Sequence, residues 1–130
     1  MSEWSHLPNA SHIDRILLDL RTNPDNWTRV WGAVLSVDLI MARCSARVAA
    51  YDVGRLRAWH SAKDAAYDVG SFSAWHSARV AILALIAWDE SASYLEFDSD
   101  QLLVLSTLGD NKATLILPAV MAFELNKELA

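Results

Sequence analysis

The spacing of apolar and polar positions predicts helix along nearly the whole chain. Residues 1–10 form an irregular lead-in containing Pro8. Ile13, Ile16, Leu17 and Leu20 recur at the helical interval, so a helix with one buried face is expected from an N-cap at Ser11 to about Arg21. Thr22-Asn23-Pro24 ends it, and proline suits the first turn of the next helix. From Trp27 the pattern through Val30, Trp31, Val34, Leu35, Val37, Leu39 and Ile40 stays helical and becomes more apolar. No proline follows until Pro118. Val80 to Trp88 is apolar on every side, which predicts a segment enclosed by protein.

Beyond Ser91 the segments shorten. Ser93 to Phe97 reads as a linker or a single helical turn. Asp98-Ser99-Asp100 offers an N-cap before Gln101 to Leu105, and Gly109 closes that helix. A last helix starts at Asp110-Asn111 and reaches about Leu129. It either kinks at Pro118 or begins near it after an extended Thr114–Leu117 segment. No stretch alternates cleanly enough to demand a strand.

The middle of the chain contains a tandem duplication. Residues 49–62 read AAYDVGRLRAWHSA and residues 65–78 read AAYDVGSFSAWHSA, so 11 of 14 pairs match at an offset of 16. A small residue stands at every fourth position: Ala42, Ala46, Ala50, Gly54, Ala58, Ala62, Ala66, Gly70, Ala74 and Ala78. Residues four apart share a helix face, so these form a stripe along which neighbouring backbones can approach closely. The stripe drifts by about 40° per step, which would let it meet several helices rather than one.

Two readings of this segment compete. In the preferred one it is a continuous helix, and Ala50, Gly54, Ala58, Ala62, Ala66, Gly70 and Ala74, with Tyr51, Trp59, Tyr67 and Trp75 beside them, form a packing or oligomer interface. Gly54 and Gly70 would then accept alanine but not leucine. In the rival reading each glycine is a C′ residue that divides the segment into helices over roughly 33–53, 55–69 and 71–90. A continuous helix from Asp25 to Trp88 would span about 95 Å at 1.5 Å per residue. It would have to kink or belong to an oligomer.

Composition and charge refine this picture. Hydrophobic content of 53% over 130 residues is ample for the core of one domain. The divisions expected are N-terminal helices over 11–41, a repeat helix over 42–90 and a C-terminal helical segment over 91–130. Net charge is −5, distributed as −2 over residues 1–42, +3 over 43–79 and −6 over 80–130. A basic middle and an acidic end could attract each other within or between chains. Cys44 is the one cysteine, which suits a reducing compartment and a small buried side chain. The first residues lack a signal-peptide pattern, and the apolar run at Val80 falls short of the roughly 20 residues that span a bilayer. A cytoplasmic protein without a membrane partner is expected.

Candidate chemistry is sparse. Phosphate-binding loops, nucleophile elbows and Rossmann glycines are absent, so no catalytic residue and no cofactor are expected. His60, Asp64 and Asp68 share a helix face, and His76 occupies the repeat position of His60, so these four are candidates for a metal or ligand site between helices. The bland reading is polar positions facing solvent or a neighbour. Arg47, Arg55, Lys63 and Arg79 interleave with the aromatic rings and could form a nucleic-acid face. The bland reading is that their stems cover those rings.

The segments AWHSAKDAAYD and AWHSARVAILALIAWDES, followed by Leu115 to Phe123, resemble small bacterial and phage proteins with Ala-Trp-Asp-Ala-Ala-Arg tandem repeats. The resemblance covers about residues 42–123 and implies a phage-encoded protein in a bacterial host cell, with no catalytic residue carried over. This chain has His60 and His76 where that repeat often has Asp. Together the readings predict an all-α fold, a long and kinked Ala-rich repeat helix packed on shorter N- and C-terminal helices. The expected function is non-enzymatic: a homo-oligomer that binds a protein partner, such as a host protein it modulates. The alternatives are nucleic-acid binding and small-ligand or metal binding.

Overall fold

A computed structural model describes residues 2–34, 37–68 and 71–129. Among them are α1 (Ala10–Thr22), α2 (Pro24–Val34), α3 (Val37–Asp52), α4 (Leu56–Tyr67), α5 (Phe72–Ala87), a 3₁₀ helix (Asp89–Glu96), α6 (Ser99–Thr107) and α7 (Asn111–Leu129), and no strand. The fold is all-α. No helix among the described residues is long and apolar enough to cross a membrane.

The architecture is centred on α5. Every residue from Val80 to Ala87 is buried, as expected for a segment apolar on all sides. Helices α1, α2, α3, α4 and α7 all pack on it. Helix α7 is wrapped over its first half, with Ala113 through Val120 buried. It runs through Pro118 as helix, so Thr114–Leu117 is helical rather than extended. On α1 the buried residues are Ile13, Ile16, Leu17 and Leu20, the face its spacing predicts.

The repeat is not one helix. A Schellman turn ends α3: Gly54 has φ +72°, its N–H reaches Tyr51 O at 3.0 Å, and Arg55 N–H reaches Ala50 O at 2.8 Å. Gly54 is therefore a C′ residue, as the rival reading has it, and not part of a packing stripe. A β-carbon there would meet nothing within 4 Å. Helix α4 ends at Tyr67, and Ser71 is an extended N-cap whose hydroxyl accepts from Ala74 N–H. Gly70 lies outside the described residues. Trp75 Nε1 donates to Lys63 O at 2.9 Å, although twelve residues of straight helix would part them by about 18 Å. The chain folds back, and α4 packs on α5.

The alanine stripe is nevertheless a contact seam. Ala42, Ala46, Ala50, Ala62, Ala66, Ala74 and Ala78 are fully buried and Ala58 nearly so, all within one chain. The seam needs no second molecule to cover it. The flanking rings divide: Trp59 is buried and Trp75 half-buried, whereas Tyr51 and Tyr67 are exposed.

The C-terminus of α5 is closed by two distant side chains. Buried Asn9 donates its amide to Leu85 O at 2.9 Å and Asp89 O at 3.1 Å. Arg55 donates to Ile86 O at 2.9 Å and pairs with Asp89 at 2.7 Å. Both satisfy carbonyls that the last helical turn leaves unpaired, and the guanidinium also suits the negative end of the helix dipole. Asp98 and Gln101 form a capping box at the start of α6.

Glycine substitutions test the turn. Gly54→Ala is expected to destabilise by about 1 kcal/mol, because a left-handed conformation disfavours any β-carbon. Gly32→Ala, in helical α2 with open space around it, is expected to stabilise by roughly 0.5–1 kcal/mol. Urea midpoints measure both. Equal shifts of the same sign would contradict the assignment of Gly54 to a turn.

Candidate functional site

The fold breaks up the ring–cation ladder and rebuilds part of it elsewhere. Arg55 is spent on the α5 terminus. Lys63 lies over Trp59, 5.8 Å from the ring centroid. Arg47 remains exposed on α3, and Arg79 sits on α5 with its guanidinium 4.4 Å from the Trp75 ring centroid. The ladder residues therefore share no single face.

What forms instead is a ring cluster where α2, α4 and α5 meet. His76 stacks on Trp31 with centroids 5.1 Å apart and planes 19° apart. Phe72 meets His76 edge-on at 4.4 Å and tilts against Trp75 at 5.5 Å. Tyr67 meets Trp75 edge-on at 5.1 Å. Tyr67 and Phe72 are exposed while Trp31, Trp75 and His76 are half-buried, so the cluster presents ring surface to solvent. Phe72 opens α5 beside the Ser71 N-cap, and one helical turn separates it from His76.

Cations border these rings. Arg43 and Arg47 lie one turn apart on α3, which packs on α5. None of Arg43, Arg47 and Arg79 has a carboxylate partner among the described residues. Burial, then the charges of Arg43 and Arg47, lowers the Arg79 guanidinium to about 10. Burial, then the charges of Arg79 and Arg43, lowers His76 to about 4, so its imidazole is neutral at pH 7. The buried Nδ1 of His76 and Nε of Arg79 have no hydrogen-bond partner among the described residues. Sequence spacing alone does not single out Arg43. Its interval to Arg47 is visible there, but its proximity to Arg79 depends on the fold.

The metal candidates are not gathered into a group of three or more ligands among the described residues. His60 and Asp64 are exposed on α4, Asp68 is exposed at its C-cap, and His76 is surrounded by rings. Cys44 is exposed, contrary to the expectation of a buried side chain. It belongs to a row on the outer face of α3 with Ile40, Met41, Val48 and Tyr51, all exposed. An open cleft of about 380 Å³ between α1, the 3₁₀ segment and α7 has mixed charge, with Arg15, Glu96 and Lys127 in its lining. Asp19 in that cleft already accepts from Trp27 Nε1 at 2.8 Å and Asn126 Nδ2 at 2.6 Å.

The His76 environment predicts a pH dependence. Its folded pKa lies below the ordinary value of 6.5, so the unfolded chain takes up the proton first on acidification. Its contribution is complete above pH 6.5 and is lost as pH falls toward 4. His76→Phe is expected to lack this loss, so the gap between variant and wild-type urea midpoints changes in the variant's favour across that window. Parallel acid profiles for the two proteins would contradict the neutral, desolvated imidazole.

Compared with protein-family models, with curated proteins and with solved structures, the chain matches none.

Proposed function

We propose that this protein is a non-enzymatic helical interaction protein that self-associates and engages a macromolecular partner through the outer face of α3. The observation that carries this reading is the row Ile40, Met41, Cys44, Val48 and Tyr51. Its positions span about a third of the α3 circumference, opposite the buried Ala42, Ala46 and Ala50. Met41, Val48 and Tyr51 are 66%, 61% and 69% exposed, and contiguous apolar surface of this kind on a helix marks an interaction site.

A second patch supplies a complement. On α6 and its C-cap, Leu103, Val104 and Leu108 are 56%, 60% and 78% exposed, and the acids Glu96, Asp98 and Asp100 on and before α6 are exposed as well. The α3 row is edged by Arg43 and Arg47. An apolar row with a cationic margin on one copy fits an apolar patch with an anionic margin on another. This replaces the alanine seam as the surface for self-association, since the seam is filled within the chain. A phage-encoded modulator of a host protein would use the same α3 face toward its target.

Light scattering tests the proposal. Wild-type protein is expected to exceed the 14.4 kDa of one chain, with a mass that rises with concentration. Met41→Glu combined with Val48→Glu is expected to raise the dissociation constant at least tenfold while leaving helix content unchanged, because both positions are exposed. A wild type that stays at the mass of one chain, or a variant that associates as strongly, would overturn it.

A further inference from the structure

The three guanidiniums that have no carboxylate partner among the described residues, and the exposed rings beside them, adjoin but do not belong to the α3 row. We propose that the junction of α2, α3 and α5 binds a nucleotide unit, its phosphate held by Arg43, Arg47 and Arg79 and its base stacked on the Phe72–Trp75 ring surface. Guanidiniums are planar, permanently charged donors whose forked geometry matches phosphate oxygens. Like charges brought near one another repel, and a multiply charged anion would relieve that repulsion.

The rings argue for a nucleotide rather than a bare oxyanion or an acidic peptide. Arg79 rests on Trp75, and Trp75 touches both exposed rings, Phe72 and Tyr67. A phosphate at Arg79 therefore has free aromatic surface one ring away. Bases stack on such rings whatever their identity, whereas carboxylate side chains gain nothing from them. Neutral His76 lies between the cations and Phe72 and adds a face, not a charge. The site draws on the basic middle of the chain, and the net charge of −5 makes its binding weak except at low salt. One chain supplies all its residues, and Arg43 and Arg47 also border the α3 row, so self-association and nucleotide binding compete for them.

Tryptophan fluorescence titrations at low salt test this, since Trp31 and Trp75 lie in the cluster. The probes are inorganic phosphate, a mononucleotide, a short single-stranded oligonucleotide and poly-glutamate. Quenching by the mononucleotide or the oligonucleotide is expected. A tighter oligonucleotide identifies a strand as the source, and equal affinities identify a free nucleotide. Arg43→Gln with Arg47→Gln is expected to weaken binding at least tenfold and to lower the oligonucleotide salt slope by about 0.7 for each arginine–phosphate pair removed. Phe72→Ala, at a 64% exposed ring, is expected to weaken it about tenfold with helix content unchanged.

The same titrations on Met41→Ser/Val48→Ser protein separate this site from self-association, because these changes add no acid beside Arg47, which lines one cleft with Val48, and binding is expected to survive there. Several results would overturn the proposal: no binding by either nucleotide probe, poly-glutamate binding as tight as the oligonucleotide, inorganic phosphate binding as tight as the mononucleotide, or indifference to both the arginine and the Phe72 changes.

Discussion

The structure depends on how closely helices can approach α5. That helix is enclosed along its whole C-terminal half, from Val80 to Ala87. Enclosure by five helices is achieved with small side chains on the surrounding elements: Ala42, Ala46 and Ala50 on α3, and Ala58, Ala62 and Ala66 on α4. Each lets a backbone come near without leaving a void, and Trp59, Leu39 and Ile82 are buried in the same core. A larger residue in the seam would force a neighbouring helix outward, which typically costs about 1–3 kcal/mol. Closing the α5 terminus with Asn9 and Arg55 completes the enclosure, because buried carbonyls there would otherwise lack donors.

The duplication explains how one motif serves two surroundings. Both copies keep the alanines, and all four positions, Ala58, Ala62, Ala74 and Ala78, are buried. The copies differ at 55–57 and 71–73, the residues that open α4 and α5. Arg55 binds the end of α5 and Leu56 packs against the core. Ser71 caps its own helix, and Phe72 turns a ring outward to meet His76. The identical residues nonetheless diverge in environment. Ser77 is buried and donates to Trp27 O at 2.7 Å, while its counterpart Ser61 is half-buried. His76 is stacked among rings and His60 is exposed.

Local rules are legible in the sequence where one helix decides the outcome. The buried face of α1, the enclosure of Val80 to Ala87, the cap at Asp98 and the turn at Gly109 all follow from spacing and residue type. The fourfold small-residue period marks a buried seam, and the alanines that carry it are buried. Continuity at Gly54 fails because a glycine in register with alanines satisfies two rules at once, and spacing cannot choose between them. The turn prevails because a folded-back α4 can bury Trp59 and the α4 alanines against the rest of the chain, which a solvated rod cannot. Cys44 misleads for a related reason. It lies between Ile40 and Val48 on a face that looks buried by composition yet points away from the core. The grouping of Arg43 with Arg79 spans 36 positions, and no periodicity in a single helix encodes it.

Charge segregation along the chain survives folding. The basic middle and the acidic end meet at Arg55–Asp89, while Lys112–Glu90 lies within the acidic end and Arg57 reaches Glu3. The Arg57 side chain is 85% exposed, so that last pair adds little to stability. Folding thus uses one repeat cation to hold the α5 terminus and leaves Arg43, Arg47 and Arg79 without a carboxylate partner among the described residues, with Arg79 resting on Trp75. Desolvation and mutual repulsion both act against the fold at that point, and both diminish when an anion arrives. The cost is borne by a helix pair already fixed by its alanine seam. The packing that made the repeat foldable is therefore also what holds three like charges together on its surface.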